Sequence, residues 1–399
     1  MANPINVDIA VIGAGPVGGI LACRLANAAH SVLLVDRAAP PHMERSGFDG
    51  RVYAVATGSR PLLEEAGLWQ RLPFEPCPID HIGISEGKLP HSKTSILLHF
   101  DHRQAADNPF GWIIEARSIR LALNSALKDS SRIVLRAPAQ ANVERYTDRA
   151  LIKFAGGETY SARLVIAADG RTSTLRASAK IPVTRLAYRQ TALVCAIAHE
   201  RPHNNVALQL FFPGGPTAQL PMTGTAEAIH LSGIVLTESH DVADQLTRME
   251  ITRFNREVGR RLGDHLGGVR LIGQRWSYRL SALHAHRYFA PRLALVGDSA
   301  HTVHPIAGQG LNLGLRDAAT LAELIDANDD PGSLRLLAAY QTARRPDNLL
   351  MLAATDSLNR LFSINLQPVR VARDLGLAAV ERMPWLKHLF MRTAMGLNA

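Results

Sequence analysis

The sequence of 399 residues is short of cysteine: Cys23, Cys77 and Cys195 lie far apart and at no metal-ligand spacing. A secreted disulfide framework and a cysteine-built zinc site are excluded, and a reducing interior is the expected setting. No uninterrupted apolar stretch reaches ~18 residues, and Met1 to Val7 carries no basic region ahead of an apolar one, so neither a membrane span nor a secretory leader is expected. Low-complexity tracts and internal repeats are missing too. The 44 Lys and Arg against 35 Asp and Glu leave a formal charge of +9, but the basic residues are scattered, which argues against nucleic acid as a partner. What remains is a chain that is 47% hydrophobic and 20% charged, able to bury a core unaided and long enough for two or three structural units.

The first motif follows at once. An apolar run from Val7 to Ile12 leads into Gly13-x-Gly15-Pro16-x-Gly18 and then a helix-like segment, and a second run, Ser31 to Val35, ends in Asp36. Strand, glycine turn, helix and strand make a βαβ unit in which the glycines allow a tight turn, close approach of backbone to a pyrophosphate, and close helix packing. The helix start offers unpaired N–H groups and the positive end of its dipole to the phosphates. Asp36 suits a ribose diol, which selects FAD or NAD over NADP; Arg37 beside it is either a second cofactor contact or a solvated charge.

Two further apolar runs end in acidic residues: Leu164 to Ala168 before Asp169-Gly170-Arg171, and Leu293 to Val296 before Gly297-Asp298. Ligands in open α/β sheets sit at the carboxyl ends of strands, so these three segments are expected to converge on one molecule. Gly308-Gln309-Gly310-Leu311-Asn312-Leu313-Gly314 does not directly follow a strand, so it fails the context of a second phosphate loop. It reads instead as a helix start near Gly310 brought up to another part of the same cofactor. Between about 181 and 275 the sequence changes to alternating runs with a Pro213-Gly214-Gly215-Pro216 turn, and after about 310 it becomes helical.

Gly13-x-Gly15-x-x-Gly18, Asp169-Gly170 and Gly297-Asp298, followed by His304-Pro305-Ile306-Ala307-Gly308-Gln309-Gly310-Leu311-Asn312, resemble in this order the fingerprints of the group A FAD-dependent aromatic hydroxylases. The stretch from His304 to Asp317 resembles the signature of their ubiquinone-biosynthesis branch, as do Asp49-Gly50-Arg51, Tyr340, Arg344 to Asn348 and Thr355-Asp356. The Asp36 position is more often Glu in such enzymes. The resemblance implies an α/β protein of the para-hydroxybenzoate hydroxylase type: a Rossmann-like, glutathione-reductase-type FAD-binding domain with an inserted antiparallel-sheet substrate domain and C-terminal helices. The expected boundaries are 1–75, 106–180 and 270–340 for the FAD-binding domain, 76–105 and 181–269 for the substrate domain, and 341–399 for the helical region.

The same resemblance assigns roles. Gly13, Gly15, Pro16, Gly18, Asp36, Arg37, Arg51, Arg117, Asp169, Gly297 and Asp298 would hold FAD, with Arg51 and Arg117 on its diphosphate and ribityl chain. Gly308, Gly310, Leu311 and Asn312 would wrap the isoalloxazine, and Pro305, Gly308 and Gln309 would form the flavin-positioning loop, with no side-chain acid or base. Leu208, Leu210, Phe212, Leu220 and Pro305 are expected to line the substrate pocket. The implied reaction hydroxylates a hydrophobic, prenylated phenol with O2 and NAD(P)H; a prenyl-chain reductase and a flavin-binding scaffold without catalysis are the alternatives. A flavin halogenase would need a Trp-x-Trp-x-Ile-Pro segment near Gly111 to Glu115, where none stands.

The histidines at 301, 304, 284 and 286 lack a third ligand at metal spacing, and Gly297 to His301 lacks the second glycine of a nucleophile elbow. From Val369 on, Arg370, Arg373, Arg382, Lys387 and Arg392 alternate with Leu375, Leu377, Val380, Met383, Trp385, Leu386, Leu389 and Phe390. That tail reads either as a helix packed on the core or as a surface for an anionic membrane or a biosynthetic partner. The expected location is the cytoplasm, with the inner face of the cytoplasmic membrane as the place where such a tail would sit.

Overall fold

The computed structural model describes residues 3–39, 48–87, 97–363 and 380–397. Strand β1 (Ile5–Ile12) enters helix α1 (Pro16–Asn27), and the chain returns as β2 (Val32–Val35). Strands β3 (Val52–Ala56), β4 (His81–Glu86) and β5 (Leu98–Asp101) precede α2 (Ala116–Asp129), and β6 (Thr159–Ala167) follows. Then come β7 (Val183–His199), β8 (Val206–Phe212), β9 (Gly215–Met222), β10 (Leu231–Ser239), α3 (His240–Arg248), α4 (Ile251–Leu262), β11 (Val269–Ala285) and β12 (Leu293–Leu295). Helices α5 (Gln309–Asp326), α6 (Leu334–Ser363) and α7 (Pro384–Met395) complete the described chain.

One sheet is the nucleotide-binding layer. β1 lies between β2 and β6, β12 pairs with β6, and all three pairings are parallel. Ile12 pairs with Ala167 and Ala167 with Leu295, so Gly13, Asp169 and Gly297 emerge at one edge. The carboxyl-terminal halves of these strands are buried on both faces by α1, α2, α5 and α6, which is why Ile9 to Ile12, Val32 to Val35, Leu164 to Ala167 and Leu293 to Leu295 read as unbroken Val, Leu, Ile and Ala.

The second sheet has eight strands and runs β11, β7, β10, β9, β8, β4, β5, with a short strand at His301–Thr302 beside β11. Its pairings are antiparallel except that of β8 with β4. One face is closed by α3 and α4, whose Leu246, Phe254, Val258 and Leu262 pack on Leu193, Ile197, Leu208, Leu210, Phe212 and Leu236. The other face packs toward β3 and, in part, α7.

In the tail, α7 docks through buried Met391 and Met395, and Lys387 reaches Glu381 at 2.7 Å. Its other side leaves Trp385 64% exposed, with Leu389 and Phe390 also in solvent. Val369, Arg370, Arg373, Leu375 and Leu377 lie outside the described residues. No helix among the described residues is long and apolar enough to cross a membrane.

Candidate active site

The glycine turn is built as its spacing requires. Gly13 has φ +110°, and a Cβ there would stand 2.2 Å from the Ala168 carbonyl oxygen. At Gly18 a Cβ would come within 2.0 Å of the Gly13 carbonyl, so α1 can lie this close only without a side chain. Gly15 faces open space; it caps α1 with no side chain on the free N–H groups, and Pro16 presets the first turn. Asp36, at the end of β2, accepts hydrogen bonds from the Ala14 amide at 2.6 Å and the Ala38 amide at 2.7 Å, which locks turn and strand end together. Arg37 is exposed.

A cleft beside Pro16 is lined by Asp49, Arg51, Tyr53, Arg117 and Arg120. Asp49 holds Arg51 through both Nε and Nη2, at 2.9 and 2.6 Å, and the Arg51 guanidinium lies 4.6 Å from the Trp276 ring centre. Arg117 pairs with Glu115 at 2.5 Å and covers Phe74. Arg120 was not singled out from the sequence. It donates to the Ala14 carbonyl at 2.9 Å, and burial pushes its pKa below the usual arginine range. Arg117 and Arg120 stand three apart on α2, the spacing of one helix face, and that pattern could have found it.

Asp169 does two things. Its Oδ2 accepts from the Thr174 amide at 2.8 Å, adding to the N-cap that Ser173 supplies to the short helix Thr174–Ser178. Its Oδ1 is buried with no partner among the described residues, an acceptor open to a donor from water or a ligand. Asp298 is 49% exposed at the strand edge, 3.7 Å from Arg171.

Gly308 takes the left-handed conformation at φ +63° and caps α5 without a side chain; a Cβ there would meet Ala54 of β3 at 3.1 Å. Gly310 faces open space. Leu311 packs against the nucleotide-layer core, and Gln309 is buried. Asn312 turns inward: it accepts from the Ala56 amide at 2.8 Å and Ser59 Oγ at 3.0 Å and donates to the Ala54 carbonyl at 2.9 Å. Its side chain fastens α5 to β3, so its service to a cofactor is to place the loop.

Asp317 is the anchor beneath. Fully buried, it accepts from the Gly297 amide (3.1 Å), His301 Nε2 (2.5 Å), Arg344 Nε (3.0 Å) and Asn348 Nδ2 (2.9 Å). Burial pushes its carboxyl up, but His301 and Arg344 more than offset this and hold it below the ordinary carboxylate range. His301 is thus committed to a carboxylate, and no group of metal-ligating side chains exists among the described residues. His304, just ahead of Pro305, is completely buried against Tyr188 and depressed by burial to about 4, so it is neutral.

The pocket residues expected on β8 need correction. Leu208, Leu210 and Phe212 point to the opposite face and are core under α3 and α4. The alternate residue Phe211 faces the loop, stacking on Phe362 at 3.6 Å and packing against Ile306, next to Pro305. Leu220 does lie on the side facing β3. Both residue sets on β8 are apolar, so alternation alone assigns neither to a face.

The donors and openings suit a flavin dinucleotide. Two uncapped helix starts, two open glycines, a desolvated arginine and the buried Asp169 oxygen all border one strand edge. Known proteins agree. A family model described as an FAD-binding domain matches residues 6–354. The ubiquinone hydroxylase UbiL of Rhodospirillum rubrum is 45% identical over 98% of this chain and 89% of its own, and the 3-demethoxyubiquinol 3-hydroxylase of Escherichia coli is 33% identical over 98% of each. Among solved structures, PqsL, a probable FAD-dependent monooxygenase from Pseudomonas aeruginosa, superposes with a TM-score of 0.77 at 22% identity, covering 93% of this chain and 99% of its own.

Proposed function

The chain belongs to the FAD-binding aromatic hydroxylases, and from that membership we propose that it hydroxylates the ring of a polyprenylated phenol on the way to ubiquinone, using O2 and NAD(P)H. The observation that carries the reading is the convergence of Gly13–Gly18, Asp169 and Gly297–Gly310 on one strand edge, in a chain 45% identical to a ubiquinone hydroxylase. FAD, when bound, takes reducing equivalents from NAD(P)H and delivers one atom of O2 to the ring.

The protein's own contribution is placement. The N–H groups at the start of α1, together with Arg51, Arg117 and Arg120, hold the diphosphate, and Asp36 receives the ribose hydroxyls. Asp169 Oδ1 and Asp298 take hydroxyl donors from the cofactor chain. The uncapped start of α5 would offer positive potential to the electron-accepting ring of the cofactor. Pro305, Ile306 and Phe211 form an apolar wall that keeps water from the reacting atoms.

The purified protein should be yellow, and should couple NAD(P)H and O2 consumption to a product heavier by one oxygen atom when given a prenylated phenol. Chain reduction without O2 uptake would instead identify a prenyl reductase, and bound flavin with no turnover would identify a scaffold. Contact with an anionic membrane is part of the same reading, supported by exposed Trp385, Leu389 and Phe390 on α7. Co-sedimentation with anionic vesicles should fall when Trp385 and Phe390 are replaced by Ser, and unchanged sedimentation would remove the membrane from the proposal.

A further inference from the structure

The face of the second sheet that looks toward β3 carries a row of residues with an unusual property. Ile84, Gln209, Ala218, Val235, Val194 and Trp276 are paired in register across six neighbouring strands: Ile84 with Gln209, Gln209 with Ala218, Ala218 with Val235, Val235 with Val194, and Val194 with Trp276. Residues paired this way share one face. All six are only partly buried, although each sits on a strand with a neighbour on either side.

The rows on either side are closed over the central strands, except at Leu220, which is partly buried. In one, Ala196, Gly233 and Leu220 lie below β3, and a Cβ on Gly233 would come within 2.9 Å of Val52. In the other, Ala192, Thr237, Pro216 and Phe211 are all buried, with Phe211 under Ile306 and Phe362. The open row between two closed ones is a trough, one step along the strand, ~7 Å, from the side chain that meets the flavin loop. Five of its six side chains are hydrocarbon or aromatic; the sixth is Gln209.

The orientation of Gln209 is fixed by chemistry. Its Nε2 lies 3.2 Å from the Thr217 carbonyl, which can only accept, so the amide nitrogen points there. The carbonyl oxygen Oε1 is left as an acceptor with no partner among the described residues. An apolar trough with one hydrogen-bond acceptor fits a molecule with one hydroxyl donor on a hydrocarbon body.

Resting on the reading above, the geometry points to this trough as the bed of the substrate, with Gln209 Oε1 accepting the phenolic O–H and Ala218, Val235 and Val194 carrying the prenyl chain. Those three side chains and Gln209 span four strands, ~14 Å at the spacing between neighbouring strands. Gln209 is thus a substrate-positioning residue that selects a free phenol over its ether.

The test uses FAD-loaded protein and the change in flavin absorbance on titration with 2-farnesylphenol, its methyl ether and 2-methylphenol. Wild type should bind the phenol ~10-fold more tightly than the ether, the worth of one hydrogen bond, and Gln209→Leu should bind the two alike. Val235→Phe should weaken 2-farnesylphenol more than 2-methylphenol, because it fills the chain bed and not the ring site. Retained discrimination in Gln209→Leu, equal weakening of both phenols in Val235→Phe, or loss of FAD from either variant would overturn the assignment, the last because the row would then face the cofactor. A wild type that binds the phenol over the ether yet hydroxylates nothing would overturn the proposed reaction and leave the trough standing.

Discussion

The strands around Gly13, Asp169 and Gly297 end in turns and loops at one edge, whereas the sheet from β11 to β5 turns the side chains of a single face toward β3, and the proposed cofactor and substrate sites differ accordingly. In the first, the carboxyl-terminal half of each strand is core and the chemistry begins where the strand stops. In the second, chemistry and core alternate along the same strand, so one residue of slip exchanges them. Substitutions should therefore act differently in the two places, and the differences can be ranked.

The effect that reaches furthest belongs to the glycine turn. Gly18→Ala puts a methyl group 2.0 Å from the Gly13 carbonyl and 2.7 Å from the Ala168 Cβ, both fixed by the sheet. Overpacking of this kind costs about 1–3 kcal/mol or more, and here it displaces α1 from the phosphates. FAD affinity measured by flavin fluorescence should fall by up to ~100-fold. Full affinity in this variant would mean that the turn does not hold the cofactor.

In the second sheet, Leu208→Ala should destabilise the fold by about 2–5 kcal/mol in urea unfolding, as for a fully packed core leucine, with little change in substrate affinity. Leu220→Ala, on the partly buried face, should cost less stability and weaken substrate binding. The reverse pattern would show that the two faces have been assigned the wrong way round.

Arg120 sharpens the comparison from the nucleotide side. Its guanidinium is desolvated and depressed by burial, with Ala14 as its carbonyl partner. Arg120→Met should weaken FAD by the value of a charge-assisted hydrogen bond, about 1.5–3 kcal/mol or ~10- to 150-fold. The apoprotein should lose none of its stability, since a buried cation is replaced by a side chain that packs. Apoprotein unfolding more readily than wild type would make Arg120 a structural residue.

The asymmetry also explains what was legible in the sequence. The turn at Gly13 to Gly18 was readable because only glycine tolerates φ +110° and a 2.0 Å approach, constraints that leave a fixed spacing in any chain. Asp169 was readable in part: one oxygen joins the first turn of the following helix, whose N-cap is Ser173, and the other has no partner among the described residues. The face of β8 was not readable: Ala207 and Phe211 on one side and Leu208, Leu210 and Phe212 on the other are equally apolar. The single informative residue was Gln209, whose polarity marks the side toward the cleft and not a side toward bulk water. Asp317 stood in the motif, but its role depends on Arg344 and Asn348, 27 and 31 residues on, which only tertiary structure brings to it.

The most gradual effect is a matter of pH, and it separates the loop from its surroundings. His304 on the flavin loop and His284 on β11 are both pushed by burial from the usual histidine value of 6.5 to about 4. As pH falls below 6.5 the unfolded chain takes up a proton at each position that the folded chain refuses until about pH 4, so the stability these sites contribute is complete above 6.5 and drains away between 6.5 and 4. The slope is at most about 1.4 kcal/mol per pH unit for each histidine. Replacing His304 by Gln should halve the dependence contributed by the pair in urea unfolding of the apoprotein across that window, and His284→Gln should remove the other half. If His304→Gln leaves the slope untouched, the imidazole is already protonated in the folded loop. The positive charge beside Pro305 would then come from a side chain as well as from the start of α5.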